Sequence, residues 1–427
     1  MNILLIGDTS NRHNWGCRAT SFQLRSLLQE AGTLTGSVDT SFLTDPVEPH
    51  LSFSRREQLS RRPANRSGLR SAMFDSVSPL LFRARPELIA RFKRMVDLMG
   101  PDDLNPMADA IAEARIFPHI AAAIADADAV FINGEGSFLK NRGVSRFKML
   151  FAYVARTRFG KKTAIVNHTA DLRSPALQTL AEKVYPVLDD CLFRESYSLT
   201  QARELRLNPK AEFAADCAFL FDPISPQIFG QVAGRTDYLS IYPENATGFD
   251  PRHPYICVGG SSAYLESENA FDRLRHGYEA LCERLMRHAP VVMTASSYPD
   301  DIILRPVARK LGLPFLGLAT PVQQATDVLG NAAAYVGGRW HPSILAMTGG
   351  TPIISFSANS DYKSRGINNL AGLDQPTISS FSIDEAFPLI ERIIADHLDK
   401  GEALRGKIRE RVEGLRHSCR RTLRMLD

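Results

Sequence analysis

The chain has no apolar run near the roughly 20 residues that cross a bilayer. Its first apolar stretch, Ile3 to Ile6, has no basic residue before it and stops at a Gly-Asp turn. A spanning helix is therefore excluded, and the chain is expected to open on a β-strand with no signal peptide. Cysteine is sparse as well: Cys17, Cys191, Cys217, Cys257, Cys282 and Cys419 form no CxxC pair and no short metal-ligand spacing. Neither a disulfide framework nor a metal centre is expected, and free thiols fit a reducing cytoplasm. Charge of one sign is also missing. With 51 Lys and Arg against 47 Asp and Glu, the net +4 is too small to imply a nucleic-acid partner unless it gathers on one face.

What is present is a globular balance, 44% hydrophobic and 23% charged, in a 427-residue chain too long for one ordinary core. Two α/β domains are expected. The continuous apolar run Asn2 to Ile6 reads as a parallel strand covered on both faces. A polar loop, Gly7 to Arg18, leads into a helix whose inner face carries Phe22, Leu24, Leu27 and Leu28. From about 45 to 105 the pattern weakens into a basic insertion, with Arg55, Arg56, Arg61, Arg62, Arg66 and Arg70 in 17 residues. Strands are then expected at Ala129 to Ile132, Thr163 to Val166, Cys191 to Arg194 and Glu212 to Ala214. An Ala-rich helix, Ile111 to Asp126, precedes the first of them, and helices follow the next two.

The repeated strand-loop-helix unit argues for parallel sheets. The N-terminal domain is expected over 1–224, a Gly- and Pro-rich linker over 225–254, and a second α/β domain over 255–382. The last segment, 383–427, reads as an amphipathic helix whose basic face, Arg405 to Arg421, is solvated surface.

The segment that carries chemistry is Gly337-Gly338-Arg339-Trp340-His341-Pro342-Ser343, set between a buried strand and an apolar helix. Two glycines allow a tight turn close to a ligand, and Pro342 suits a first helical position. Arg339 offers paired donors to a phosphate or carboxylate, and free amides at the helix start add positive potential. His341 can exchange a proton near neutral pH. Lys363 follows the carboxyl end of the next strand, where ligands of open parallel sheets gather.

These residues resemble the polysaccharide pyruvyltransferases, which move pyruvate from phosphoenolpyruvate to a sugar as a ketal. Four marks carry the likeness: Asn14 with Gly16; Arg194, Glu195 and Ser198; Asp216 before Ala218 and Phe219; and Arg339, His341, Gly350, Pro352 and Lys363. The resemblance implies two Rossmann-like domains facing across a cleft, the GT-B arrangement. It implies that Arg194 and Arg339, with Ser343 and Lys363, hold the donor's anionic groups and that His341 is the catalytic acid, with no cofactor. Where relatives carry glycine turns, this chain has Glu135, His168 and Asp171. Glu135 and His168 are expected in catalysis, and Asn14 and Asp171 at the acceptor, a saccharide or lipid-linked saccharide. In that case the Arg55 to Arg70 segment offers a peripheral, salt-sensitive membrane contact.

Two other readings stay open. One is a GT-B glycosyltransferase using a nucleotide-sugar, for which Asp300 or Asp301 would grip the ribose. The other is a non-catalytic carbohydrate-binding relative. Fold alone does not choose among them.

Overall fold

In the computed structural model, residues 1–40, 95–97, 99–235, 238, 250–266 and 270–427 are described. The arginines between 55 and 70, and most of the expected insertion, lie outside them. Ile3 to Ile6 are apolar without alternation because β1 (Asn2–Asp8) lies inside a parallel sheet, with β2 (Thr33–Asp39) on one side and β3 (Ala129–Phe138) on the other. The sheet continues through β4 (Lys162–Ala170), β5 (Asp190–Phe193) and β6 (Glu212–Phe213), in the order β2-β1-β3-β4-β5-β6. A second parallel sheet contains β7 (Ile256–Ser261), β8 (Val291–Thr294), β9 (Phe315–Leu316), β10 (Ala334–Gly338) and β11 (Ile353–Ser355), in the order β11-β10-β7-β8-β9.

Several local expectations shift. β2 is an edge strand whose half-exposed, mostly polar residues give no apolar signal. The expected helix 111–126 is two helices, α2 (Leu104–Ala112) and α3 (Pro118–Asp126), because Pro118 opens a new helix and the preceding Phe117 takes a left-handed φ of 48°. In α1 (Trp15–Ala31) the buried face is Trp15, Ala19, Leu24, Leu27 and Leu28, whereas Phe22 is 61% exposed. β3 and β4 run through the expected loops at Asn133–Ser137 and Asn167–Ala170, with Glu135 (φ 47°) and Asn167 (φ 53°) in the left-handed region.

The first sheet's helices are completed by α4 (Gly143–Thr157), α5 (Pro175–Val184) and α6 (Ser196–Glu204), while α7 (Pro226–Ala233) forms inside the expected linker. The second half carries α8 (Phe271–Leu285), α9 (Tyr298–Leu311), α10 (Val322–Asn331), α11 (Trp340–Thr348) and α12 (Asp361–Ala371). Trp15 and Ala19 of α1 share a core cluster with Ile344 and Leu345 of α11, so apolar packing continues from one half to the other.

The C-terminal helix α13 (Phe387–Cys419), broken at Gly401 (φ 45°), ties the halves together. Ile390 and Ile394 pack on the second sheet, and beyond the helix Met425 joins the core of the first. Of the basic face, Lys407, Arg420 and Arg421 are exposed, as expected of a solvated surface, but Arg405 and Arg411 also donate to helix-end carbonyls. Arg405 Nη2 donates to Gly330 O and Gly349 O, both at 2.8 Å, and Arg411 Nε donates to Leu370 O at 2.8 Å. These carbonyls belong to the last turns of α10, α11 and α12, which have no intrahelical donors and carry negative partial charge.

Candidate active site

At the carboxyl ends of β5, β6 and β10 two buried groups, Arg194 and Asp216, meet the partly buried His341. Arg194, directly after β5, is 0% exposed. Its Nη1 donates to Asp216 Oδ2 at 2.8 Å, its Nε to Thr169 Oγ1 at 2.9 Å, and its guanidinium carbon lies 4.8 Å from the centre of the Trp340 ring. Asp216, also fully buried, caps the short 3-10 turn Cys217–Leu220. It accepts from Thr20 Oγ1 (2.8 Å) and Ala218 N (2.9 Å) on Oδ1, and from Trp340 Nε1 (3.2 Å) on Oδ2. Burial alone would raise this carboxyl, but His341, Arg194 and the Ala218 amide together hold it well below the usual carboxylate range. His341 enters from the second half at the start of α11. Its Nε2 is 2.8 Å from Thr20 Oγ1, 3.3 Å from Asp216 Oδ2 and 3.4 Å from Arg194 Nη1.

Beside this group, β3 and α4 present a carboxylate and an amine. Glu135 accepts from Thr9 Oγ1, from Asn133 Nδ2 (3.1 Å) and from Cys17 Sγ (3.4 Å). Burial pushes its carboxyl up, yet Lys148, His341, Thr9 and Arg12 outweigh that and keep it ionised. Lys148, 1% exposed, donates to Ser137 Oγ at 2.8 Å, and burial lowers its ammonium to about 8 against the attraction of Glu135.

From the other side α12 brings Lys363, with Nζ 3.1 Å from Asn359 Oδ1 and so close to Gly136 that a Cβ there would stand 2.7 Å from it. Burial, then the positive charges of Arg194 and Arg339, lower this ammonium to about 7. Among the described residues no carboxylate lies within ion-pair distance of Lys363.

Other expected site residues are placed differently. Asn14 caps α1, its Oδ1 accepting from Gly16 N (2.8 Å) and Cys17 N (3.3 Å). His168 is 0% exposed, its ring 4.2 Å from that of Phe193 and 5.5 Å from that of Phe138. Burial lowers it to about 3, and it is enclosed by aromatic rings with no surface open to a ligand, the surroundings of a core residue. Asp171 pairs with Arg173, whose guanidinium carbon lies 5.4 Å from the centre of the Tyr362 ring. Arg339 is the N-cap of α11, and its fork is engaged internally, with Nη2 at 2.7 Å and Nε at 3.1 Å from Asp300 Oδ1. The Ser343 hydroxyl donates to Arg339 O at 2.9 Å within the helix, and Pro342 is the third helical residue rather than the first.

No motif in the sequence marks Thr20, Cys17 or Lys148 as functional. Lys148 was detectable as a single lysine among Phe147, Met149, Leu150 and Phe151, a helical stretch with no other reason to hold a charge.

The sequence profile of polysaccharide pyruvyl transferases matches residues 38–360, well over half of the chain. The chain belongs to that family. No curated protein sequence matches this transferase. Its fold is shared with the UDP-GlcNAc 2-epimerase of Neisseria meningitidis in complex with UDP-GlcNAc, at 8% identity and TM-score 0.51 over 100% of this chain and 99% of that one. Phytolacca americana UGT2, solved with UDP-2fluoro-glucose and pterostilbene, gives 11% identity and TM-score 0.51 over 100% and 98%. Two parallel α/β halves facing across a cleft, the GT-B-like architecture, is therefore the fold of this transferase. The family implies a saccharide acceptor. The carboxylates considered for gripping a ribose are engaged: Asp300, fully buried, holds Arg339 and the Ser296 amide, and Asp301 pairs with Arg305 at 2.8 Å. Among the described residues no helix is long and apolar enough to cross a membrane, and no group of three potential ligands is arranged to hold a metal ion.

Proposed function

We propose that the protein transfers the pyruvyl group of phosphoenolpyruvate to two hydroxyls of a saccharide, forming a ketal and releasing phosphate, in the cleft between Glu135, His341 and Lys363. The observation that carries this reading is Lys363: a half-buried ammonium repelled by Arg194 and Arg339 and attracted by Glu135, whose hydrogen-bond partner among the described residues is an amide oxygen. An anionic donor adds the counter-charge that Glu135 alone does not supply against three cations, at a point where water is already thinned out. Lys363 holds the donor's phosphate or carboxylate. Arg194 and Arg339, each already paired with a buried aspartate, act through the positive potential they add and through the shape of the loop.

His341 is the acid. Its proton goes to the methylene carbon, which becomes the methyl group and leaves the adjacent carbon electrophilic. An acceptor oxygen bonds to that carbon, the bond to phosphate breaks with its electron pair on phosphate, and a second hydroxyl of the same sugar closes the ketal. Of the two hydroxyl protons, one replaces the proton spent on the methyl group and one leaves with phosphate. Glu135, ionised and beside His341, receives the acceptor proton.

A thermal-shift comparison tests the donor. Phosphoenolpyruvate should stabilise the wild-type protein and not Lys363→Met, and phosphate release should follow addition of a competent saccharide. Stabilisation by nucleotide-sugars alone, or equal stabilisation of both proteins by phosphoenolpyruvate, overturns the assignment.

A further inference from the structure

Thr20 stands between the two partners that define the acid. Its hydroxyl has one hydrogen, and its oxygen lies 2.8 Å from Asp216 Oδ1 and 2.8 Å from His341 Nε2. Asp216 is fully buried and ionised, so its oxygens only accept. Oδ1 takes the Thr20 hydrogen and the Ala218 amide, and Oδ2 takes Arg194 and Trp340. The Thr20 hydrogen is therefore committed to Asp216, and the same oxygen is left to accept from His341.

That requirement puts a proton on Nε2. Asp216 Oδ2 at 3.3 Å from Nε2 asks for the same thing. Only Arg194 Nη1 asks for the opposite, since an arginine can only donate. At 3.4 Å it is the longest of the three contacts, and Nη1 already donates to Asp216 at 2.8 Å. One short acceptor contact, supported by a second at 3.3 Å to a carboxylate, outweighs a 3.4 Å contact to a donor already engaged.

Nδ1 is then the nitrogen left to gain and lose a proton. It makes no hydrogen bond among the described residues and lies against Gly16, while the ring keeps 12% of its side-chain surface open. Gly16 and Thr20 are one helical turn apart, so a single face of α1 provides both the space for Nδ1 and the acceptor for Nε2. From this arrangement we infer that Thr20 is a positioning residue which, relaying Asp216, fixes His341 with its resident proton on Nε2 and makes Nδ1 the acid. This rests on the reading of His341 as the acid of pyruvyl transfer. In that step the Nδ1–H bond breaks as the methylene C–H bond forms, and the neutral ring keeps the Nε2 proton.

The test measures imidazole nitrogen resonances of the full-length protein labelled with 15N-histidine, with His341 assigned by its loss in His341→Gln. The neutral wild-type ring should show a protonated Nε2 and an unprotonated Nδ1. Thr20→Val keeps the side chain's shape but removes the acceptor; it should mix the tautomers and lower kcat on the order of tenfold with KM for phosphoenolpyruvate little changed, as expected for a misplaced acid. Thr20→Ser should restore both. A wild-type ring protonated on Nδ1, or an unchanged tautomer in a folded Thr20→Val protein, overturns the inference whatever the reaction is. The expected tautomers without phosphate release from phosphoenolpyruvate would uphold the proton assignment and reject pyruvyl transfer instead.

Discussion

Gly16 and His341 touch across the two halves of the molecule, so closely that a Cβ on residue 16 would stand 1.9 Å from His341 Nδ1. No side chain fits there without moving the imidazole. Gly16→Ala should displace the ring from Thr20 and Asp216, cost about 1–3 kcal/mol through overpacking, and lower turnover by as much as ~100-fold, since a shift of about 1 Å at a reacting group has that effect. Denaturation and steady-state kinetics on the same preparation check both. Wild-type turnover in a normally folded Gly16→Ala protein would show that His341 does not have to sit where the structure places it.

Lys363 gives the proposed donor site a pH dependence with a definite sign. Burial and the nearby guanidinium charges lower its ammonium to about 7 in the folded protein, against near 10.4 in an unfolded chain. Between those values the unfolded chain binds more protons, so this group adds stability as pH rises from about 7 towards about 10.4 and removes it again as pH falls through about 7. An anionic donor favours the charged form, so its binding should take up a proton above about pH 7 and weaken as pH rises. Calorimetry in buffers of different ionisation enthalpy reads the proton uptake. In Lys363→Arg, whose charge persists at all these pH values, the uptake should vanish.

His168→Phe should keep its turnover. The ring is enclosed by Phe138, Tyr185 and Phe193 and is neutral above about 3, so its contribution is packing plus polar contacts with the Leu192 backbone and, at 3.4 Å, the Tyr185 hydroxyl. A stability loss of about 1–2 kcal/mol is expected from the lost polar contact, with kcat per folded molecule unchanged. A hundredfold fall in kcat at normal folding would return His168 to the reaction.

Arg405→Ala should behave in the complementary way for a residue far from the chemistry. Gly330 O and Gly349 O would lose the Arg405 donor, and the carbonyl of Ala332, which Arg405 Nη1 also reaches, would lose it too. Thr351 Oγ1 still reaches Gly330 O and Ala332 O, and Arg409 Nη1 still reaches Gly349 O, so the whole loss should be about 1–3 kcal/mol. Urea denaturation should show the loss while kcat of the remaining folded protein stays unchanged, and Arg405→Lys should recover only part of it because one ammonium cannot span three carbonyls.

By itself the sequence determined the α/β alternation, since the periodicity of apolar residues is local: unbroken runs such as Ile3 to Ile6 and Val291 to Met293 specify strands covered on both faces. It also pointed to the turn from Gly337 to Ser343 as the place where a charged loop meets a helix start. Where the apolar signal was weak, as in the half-exposed β2, or where a proline opened a new helix at Pro118, the local pattern misled. Partnership among polar groups was decided only by tertiary structure. Thr20 reaches Asp216 across 196 positions and His341 across 321, and Arg339 spends its fork on Asp300. Residue type tells what a side chain can donate or accept; the packing of α1 against α11 and the placing of Arg405 and Arg416 of α13 over helix-end and turn carbonyls decide which donor finds which acceptor, because buried polar groups must be satisfied by whatever the two halves bring within reach.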